Sequence, residues 1–336
     1  MPCCHLPPGP VGNFFVSLQD DAEQFATYVG GGTPSRRVIL PNFLTGALHL
    51  EMKLWRPNSP LRGYRINDAA GNAWRAMANR TTAPRKVYPR FPTLNRAQVF
   101  TRIIVPPRVA ECGLLDYDDW ILETITQLRL DGLANASLGG PWTPPGKNDK
   151  PPELATVGLG QKLINIYVKY ELCWQRVGKW NRPIIVRYAA PVLANLSQFL
   201  CALHAPVDTI LVEKLLALPV GQHLKKEGLL KPRGGSPLIQ QSSDGTFRPW
   251  SKLDCLRTYY GLQLVLRRIA MATWPKGCAC SASPDQAIKD CADWFNCNYA
   301  GPELAAKDWI QAACDLPKDV IDATVEAMKA KASDAS

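Results

Sequence analysis

Apolar positions recur every three or four residues through most of the chain beyond residue 117, the spacing of helices that each bury one face. The pattern predicts a helix over Tyr117–Leu130, with Trp120, Ile121, Ile125 and Leu128 on one side and Asp118 and Asp119 beside its positive N-terminus. Further helices are predicted over Gln161–Arg176, Pro191–Leu203, from Pro206 through Leu218, from Trp250 to about Ala272, and over Ile288–Phe295, Leu304–Ala312 and Val320–Met328. Gly- and Pro-rich stretches at Ser137–Pro152 and Lys231–Gly245 interrupt them, and from Lys329 onwards the chain reads as a frayed end. No alternation of strands with helices is visible, which argues against a doubly wound nucleotide-binding fold.

The first hundred residues differ. They are irregular and rich in Pro, Gly and Arg, with helical patches at Phe43–Leu54 and Ala69–Ala78 and a candidate strand at Gln98–Val105. The expected organisation is an irregular N-terminal layer over 1–110 and a mainly α domain over 111–330. Hydrophobic residues make up 46% of the chain and charged residues 20%, the proportions of a globular protein. No apolar run reaches the ~18 residues of a membrane span. Met1–Pro8 has neither a basic start nor an apolar core, so a secretory signal is not expected and the reading is cytoplasmic. The net charge of +10 fits a polyanionic partner as well as it fits a solubilising surface.

Eleven cysteines in such a chain are expected to be reduced and mostly buried. Cys278, Cys280, Cys291 and Cys297 have a spacing that zinc or an iron–sulfur cluster could use. Cys291 precedes Trp294 in an apolar helical pattern, however, which favours a core position, and no metal or cofactor is expected.

Two segments carry candidate chemistry. In Thr156-Val157-Gly158-Leu159-Gly160-Gln161-Lys162, two glycines ahead of a helix read as a tight turn with outward amides, suited to a phosphate oxygen. The second, His204-Ala205-Pro206-Val207-Asp208, opens another helix, where Asp208 suits an N-cap. Each has a plain reading too: a simple turn with a solvated lysine, and an ordinary cap.

Taken in order, G-x-G-x-K followed by P-V-D resembles the helix-hairpin-helix DNA glycosylases, closest to the bacterial and archaeal 8-oxoguanine enzymes, over about a fifth of the chain. The resemblance implies a two-lobed helical fold, Lys162 as nucleophile and Asp208 as the essential carboxylate. It implies DNA contacts from Gly158, Gly160, Gln161 and Lys169, the last also a second candidate amine. Trp142, in the Pro/Gly loop, is the expected wedge or stacking residue, with Trp174, Trp180 and Trp250 as alternatives. His204 and Asn165 are expected at the base pocket, Asn165 beside Lys162. The implied partner is DNA bearing a damaged or modified base, bound by a monomer. The 46 residues between Lys162 and Asp208 exceed the family's compact spacing, and the extra Gln175–Pro183 stretch is basic and aromatic. An enlarged pocket would suit a bulky base, such as the hypermodified bases that prokaryotic glycosylases remove from phage DNA. The non-catalytic counterpart is a helix-hairpin-helix module whose hairpin grips phosphate while Asp208 only caps its helix.

Overall fold

The computed structural model describes residues 115, 117–126, 156–176 (side chains to 166), 203–234, 237–241, 245–272, 283–299 and 308–333 (side chains to 330). The expected N-terminal layer over 1–110 lies outside them, as do the helix expected over Pro191–Leu203 except for its last residue, and Leu128. The described part is mainly helical, as the periodicity predicts. None of its helices is long and apolar enough to cross a membrane.

A first helix, α1, covers 117–126, and α2 spans Val157–Arg176. An extended segment, 203–208, leads into α3 (Thr209–Leu216) and then α4 (Pro219–Lys226). Pro219 explains the break between the last two. It has no amide hydrogen to continue α3, but suits the first turn of a new helix. The helix expected through Leu218 is thus followed at once by a second one, whose start the sequence reading missed.

The supposed Lys231–Gly245 gap holds a small antiparallel sheet, another correction. Strands β1 (Leu230–Lys231), β2 (Leu238–Gln240) and β3 (Phe247–Arg248) pair in that order, with Leu230 opposite Ile239 and Ile239 opposite Arg248. Strands of two or three residues are too short to show alternation. Trp250 does not open a long helix. Trp250–Lys252 form a 3-10 turn, and α5 starts after it, covering Leu256–Ala272.

Helix α5 is the centre of the core: every residue from Thr258 to Met271 is buried. Around it pack α2, α6 (Pro284–Asn298), α7 (Trp309–Cys314) and α8 (Lys318–Ser333). The last helix continues past Lys329, so the expected frayed tail is helical to Ser333. Gly261 lets α7 cross α5 closely, since a Cβ there would lie 2.5 Å from the Trp309 carbonyl carbon.

Gly158 serves a similar close approach. A Cβ at Gly158 would lie 1.8 Å from the Trp250 carbonyl oxygen, closer than any real contact. Gly158→Ala should therefore lower stability by roughly 3 kcal/mol, because backbone on both sides must move. Gly234, with nothing within 4 Å of its Cβ position, is the control, and Gly234→Ala should stay within ~0.5 kcal/mol. Urea denaturation of the two variants checks this; equal midpoints would show that α2 and the 3-10 turn separate readily.

Candidate active site

Residues Gly158–Gly160 form the first turn of α2 rather than a hairpin ahead of it. Among the described residues the glycines with positive φ are Gly228 and Gly245, so neither glycine of the G-x-G makes the expected tight turn. Its amides are also occupied. Gly158 N–H donates to the Leu253 carbonyl at 2.8 Å, Gly160 N–H to the Thr156 carbonyl at 3.0 Å, and Val157 N–H to Asp254 Oδ1 at 3.4 Å. Thr156 Oγ1 accepts from Leu159 N–H and donates to the Ser251 carbonyl at 2.7 Å. The expected phosphate grip at Gly158 and Gly160 is corrected accordingly: this helix start docks on residues 251–254 of the same chain. Gln161 is fully buried and makes no surface for DNA.

The two segments do bring Lys162 and Asp208 together. Lys162 Nζ lies 3.2 Å from Asp208 Oδ2, the lysine side chain 2% exposed and the aspartate 17%. The carboxylate divides its oxygens: Oδ1 accepts from Leu211 N–H at 3.0 Å as the N-cap of α3, leaving Oδ2 for the lysine. The helix start also stabilises negative charge at that position. Trp250 completes the setting. Its ring lies 4.4 Å from Lys162 Nζ in a cation–π contact, and its Nε1 donates to Thr209 Oγ1 at 3.0 Å. Chemically, this is an ammonium held between a carboxylate and an aromatic face, with the aspartate its more exposed member.

Behind the pair lies a sealed polar network. Asp118, in the first turn of α1 as expected, is fully buried. Arg267 donates to it twice, at 2.7 and 2.9 Å, Tyr260 donates at 2.6 Å, and His204 Nε2 sits at 2.8 Å. Burial works against the charge on Asp118, yet the Arg267 charge and hydrogen bonds, with those of His204, hold the carboxyl well below its usual range. A carboxylate only accepts, so His204 Nε2 carries a proton, and burial keeps the ring neutral by lowering its pKa. His204 Nδ1 therefore accepts from the Tyr259 hydroxyl at 2.8 Å, which itself accepts from Asn165 Nδ2 at 2.8 Å.

This network corrects two expected pocket residues. Both ring nitrogens of His204 are engaged inside the core, so it cannot read a flipped base. Asn165 is buried, its Nδ2 turned to Tyr259 and within 3.3 Å of the Ala205 carbonyl and Gln161 Oε1. It faces the 203–208 segment rather than a pocket.

Trp142 and Trp180 lie outside the described residues, as do the side chains of Lys169 and Trp174 on α2. Cys278 and Cys280 also lie outside them. Cys291 is buried on α6, where its Sγ accepts from Arg267, and Cys297 is exposed on the same helix. Burial pushes the Cys291 thiol up to about 12. Among the described residues no group of three or more His, Cys, Asp or Glu could hold a metal ion.

Sequence reasoning passed over Tyr259 and read Tyr260, Gln263 and Arg267 only as residues of one long amphipathic helix. A signal existed: the α5 stretch Gly261-Leu262-Gln263-Leu264-Val265-Leu266-Arg267 is apolar on nearly every side, so its polar members had to be buried and paired.

No family model, curated protein or solved structure matches the chain.

The neutral His204 has a consequence for stability. Its pKa in the fold is lowered from 6.5, so as pH falls through 6.5 the unfolded chain takes up the proton first. Stability is therefore intact above that value and falls as pH drops towards the folded pKa, by at most ~1.4 kcal/mol per pH unit for one proton. Asp118 adds its own loss only in stronger acid, because its pKa is lowered from 3.8. Urea unfolding between pH 7.5 and 5 should show a decline that His204→Gln makes shallower; identical slopes would mean that His204 does not titrate in this way.

Proposed function

We propose that the chain is a DNA N-glycosylase in which Lys162 and Asp208 act together on the sugar of an extruded nucleotide. One observation carries the reading: the lysine of the G-x-G-x-K segment and the aspartate of the P-V-D segment, 46 residues apart, meet at 3.2 Å. In this chemistry Asp208 stabilises the positive charge that grows on the deoxyribose as the base departs with the bonding electrons and takes up a proton. The Lys162 ammonium gives one proton to the departing base and bonds through the freed amine to the anomeric carbon; Asp208 accepts the second nitrogen proton, and cleavage of the C1′–O4′ bond with protonation of O4′ leaves the imine. The resulting Schiff base allows strand nicking. Trp250, against the lysine, limits the water that could compete.

The same reading includes a two-lobed helical domain, a cytoplasmic monomer and a DNA partner with a damaged or modified base, including the hypermodified bases of phage DNA. The +10 charge supports a polyanionic partner. A non-catalytic helix-hairpin-helix module is less well supported, because it needs outward amides at Gly158 and Gly160, and those are bonded within the chain.

The test is a panel of duplexes carrying oxidised, alkylated and glucosylated bases, scored for abasic sites and for covalent adducts trapped with borohydride. Asp208→Asn keeps a good helix cap and should lower base release by roughly 10³-fold, within the range of acid–base and charge stabilisation. Lys162→Gln should lose the trapped adduct while keeping most DNA affinity. Full excision by Asp208→Asn would leave that residue a cap alone, and excision without any adduct would make water the nucleophile.

A further inference from the structure

The segment that delivers Asp208 is extended and buried, yet among the described residues no strand pairs with it. Residues 203–207 are buried, and the polar groups of Ala205 and Val207 are met by side chains. Gln161 donates from Nε2 to the Val207 carbonyl at 2.8 Å and accepts Val207 N–H at Oε1 at 3.0 Å. Gln263 treats Ala205 in the same way, at 2.9 and 2.8 Å. Each carboxamide thus stands in for one peptide of a neighbouring strand. Alternate residues of an extended chain direct their amides and carbonyls to the same side, so both glutamines grip one edge. Pro206, between them, has no N–H to satisfy.

Gln161 is itself immobilised. Its second Nε2 hydrogen goes to the Gly158 carbonyl at 2.9 Å, and Asn165 Nδ2 reaches its Oε1 at 3.3 Å. Adjacent residues of α2 therefore engage adjacent residues of the segment: Gln161 holds Val207 while Lys162 meets Asp208. We infer that Gln161 and Gln263 are positioning residues, which set the register of the segment and hence the lysine–aspartate distance. This rests on the proposed role of that pair in base release. Without the clamps, Asp208 would still cap α3 and Trp250 would still bond Thr209, but the backbone of Ala205 and Val207 would lose its side-chain grip.

The test reads positioning apart from activity. A double-mutant cycle of Lys162→Met and Asp208→Asn, followed by urea unfolding, should give a coupling of about tenfold in the unfolding constant. In a Gln161→Met background, similar in volume but without the hydrogen bonds, the coupling should fall to within twofold of unity. Base release per folded molecule should fall roughly 10²-fold with DNA affinity unchanged, the cost of a displacement near 1 Å. Gln161→Glu supplies a conservative rescue. Protonated, its carboxyl can donate to Val207 and accept from it; ionised, it repels two carbonyls. Coupling should accordingly survive at pH 5.5 and be lost at pH 8. If Gln161→Met does not fold, Gln263→Met takes its place with the same expectation. Coupling that persists unchanged in a clamp variant, or equally at both pH values in Gln161→Glu, would overturn the inference and leave the glutamines as supports of stability only. Absence of base release by the wild type on every duplex would instead overturn the proposed function, while the coupling arm would still decide the positioning.

Discussion

A buried backbone must have its hydrogen bonds met, and here an extended segment runs through a core built of helices. That constraint organises the polar interior. Among the described residues no strand pairs with 203–208, and Gln161, Asn165 and Gln263 reach in from α2 and α5 to satisfy its polar groups. His204, at the near end of the segment, needs partners for two ring nitrogens, and Asp118 and Tyr259 provide them. Asp118 in turn could not lie sealed in the core without Arg267. Removing one partner of such a pair leaves an uncompensated charge and costs about 3–5 kcal/mol, so α1, α5 and the segment are held as one unit.

The segment's far end is where this order becomes chemistry. Asp208 leaves the sealed region just as α3 begins, with one oxygen committed to the cap and the other to Lys162. The cap and the contact with Lys162 draw on different oxygens of the same carboxylate. The cap fixes the carboxylate plane through Leu211 N–H, and that orientation presents Oδ2 to the lysine.

Periodicity made most helices legible, because each buries a face for which the 3.6-residue repeat is the only requirement. Lys162 and Asp208 were set apart by the resemblance of the G-x-G-x-K and P-V-D segments, not by periodicity. Neither could show that Gly158 faces the Trp250 carbonyl, since a glycine in a tight turn and a glycine at a close crossing look alike in sequence. The two-residue strands were too short to register, and α4 was hidden by Pro219, which breaks one helix and begins the next. The burial of Asp118 and the placement of His204 were hidden for a related reason. Their locations depend on Arg267 and Tyr259, more than fifty residues away in each case, and no local pattern encodes such a pairing.

Several ion pairs lie among the described residues, and two of them, Asp118–Arg267 and Lys162–Asp208, differ in exposure. Asp118 and Arg267 are both wholly inaccessible, every oxygen of the carboxylate is spent, and nothing can reach them without unfolding. Lys162 is equally deep, but its aspartate is 17% exposed. Stability alone accounts poorly for such a partly open pair, because apolar side chains of similar volume would fill the space without the desolvation cost. Taking a lysine out of water is costly, and this one is matched by a carboxylate on one side and an indole face on the other. Those same contacts hold the lysine nitrogen in one place and largely free of solvent, so that Asp208 is the more exposed member of the pair.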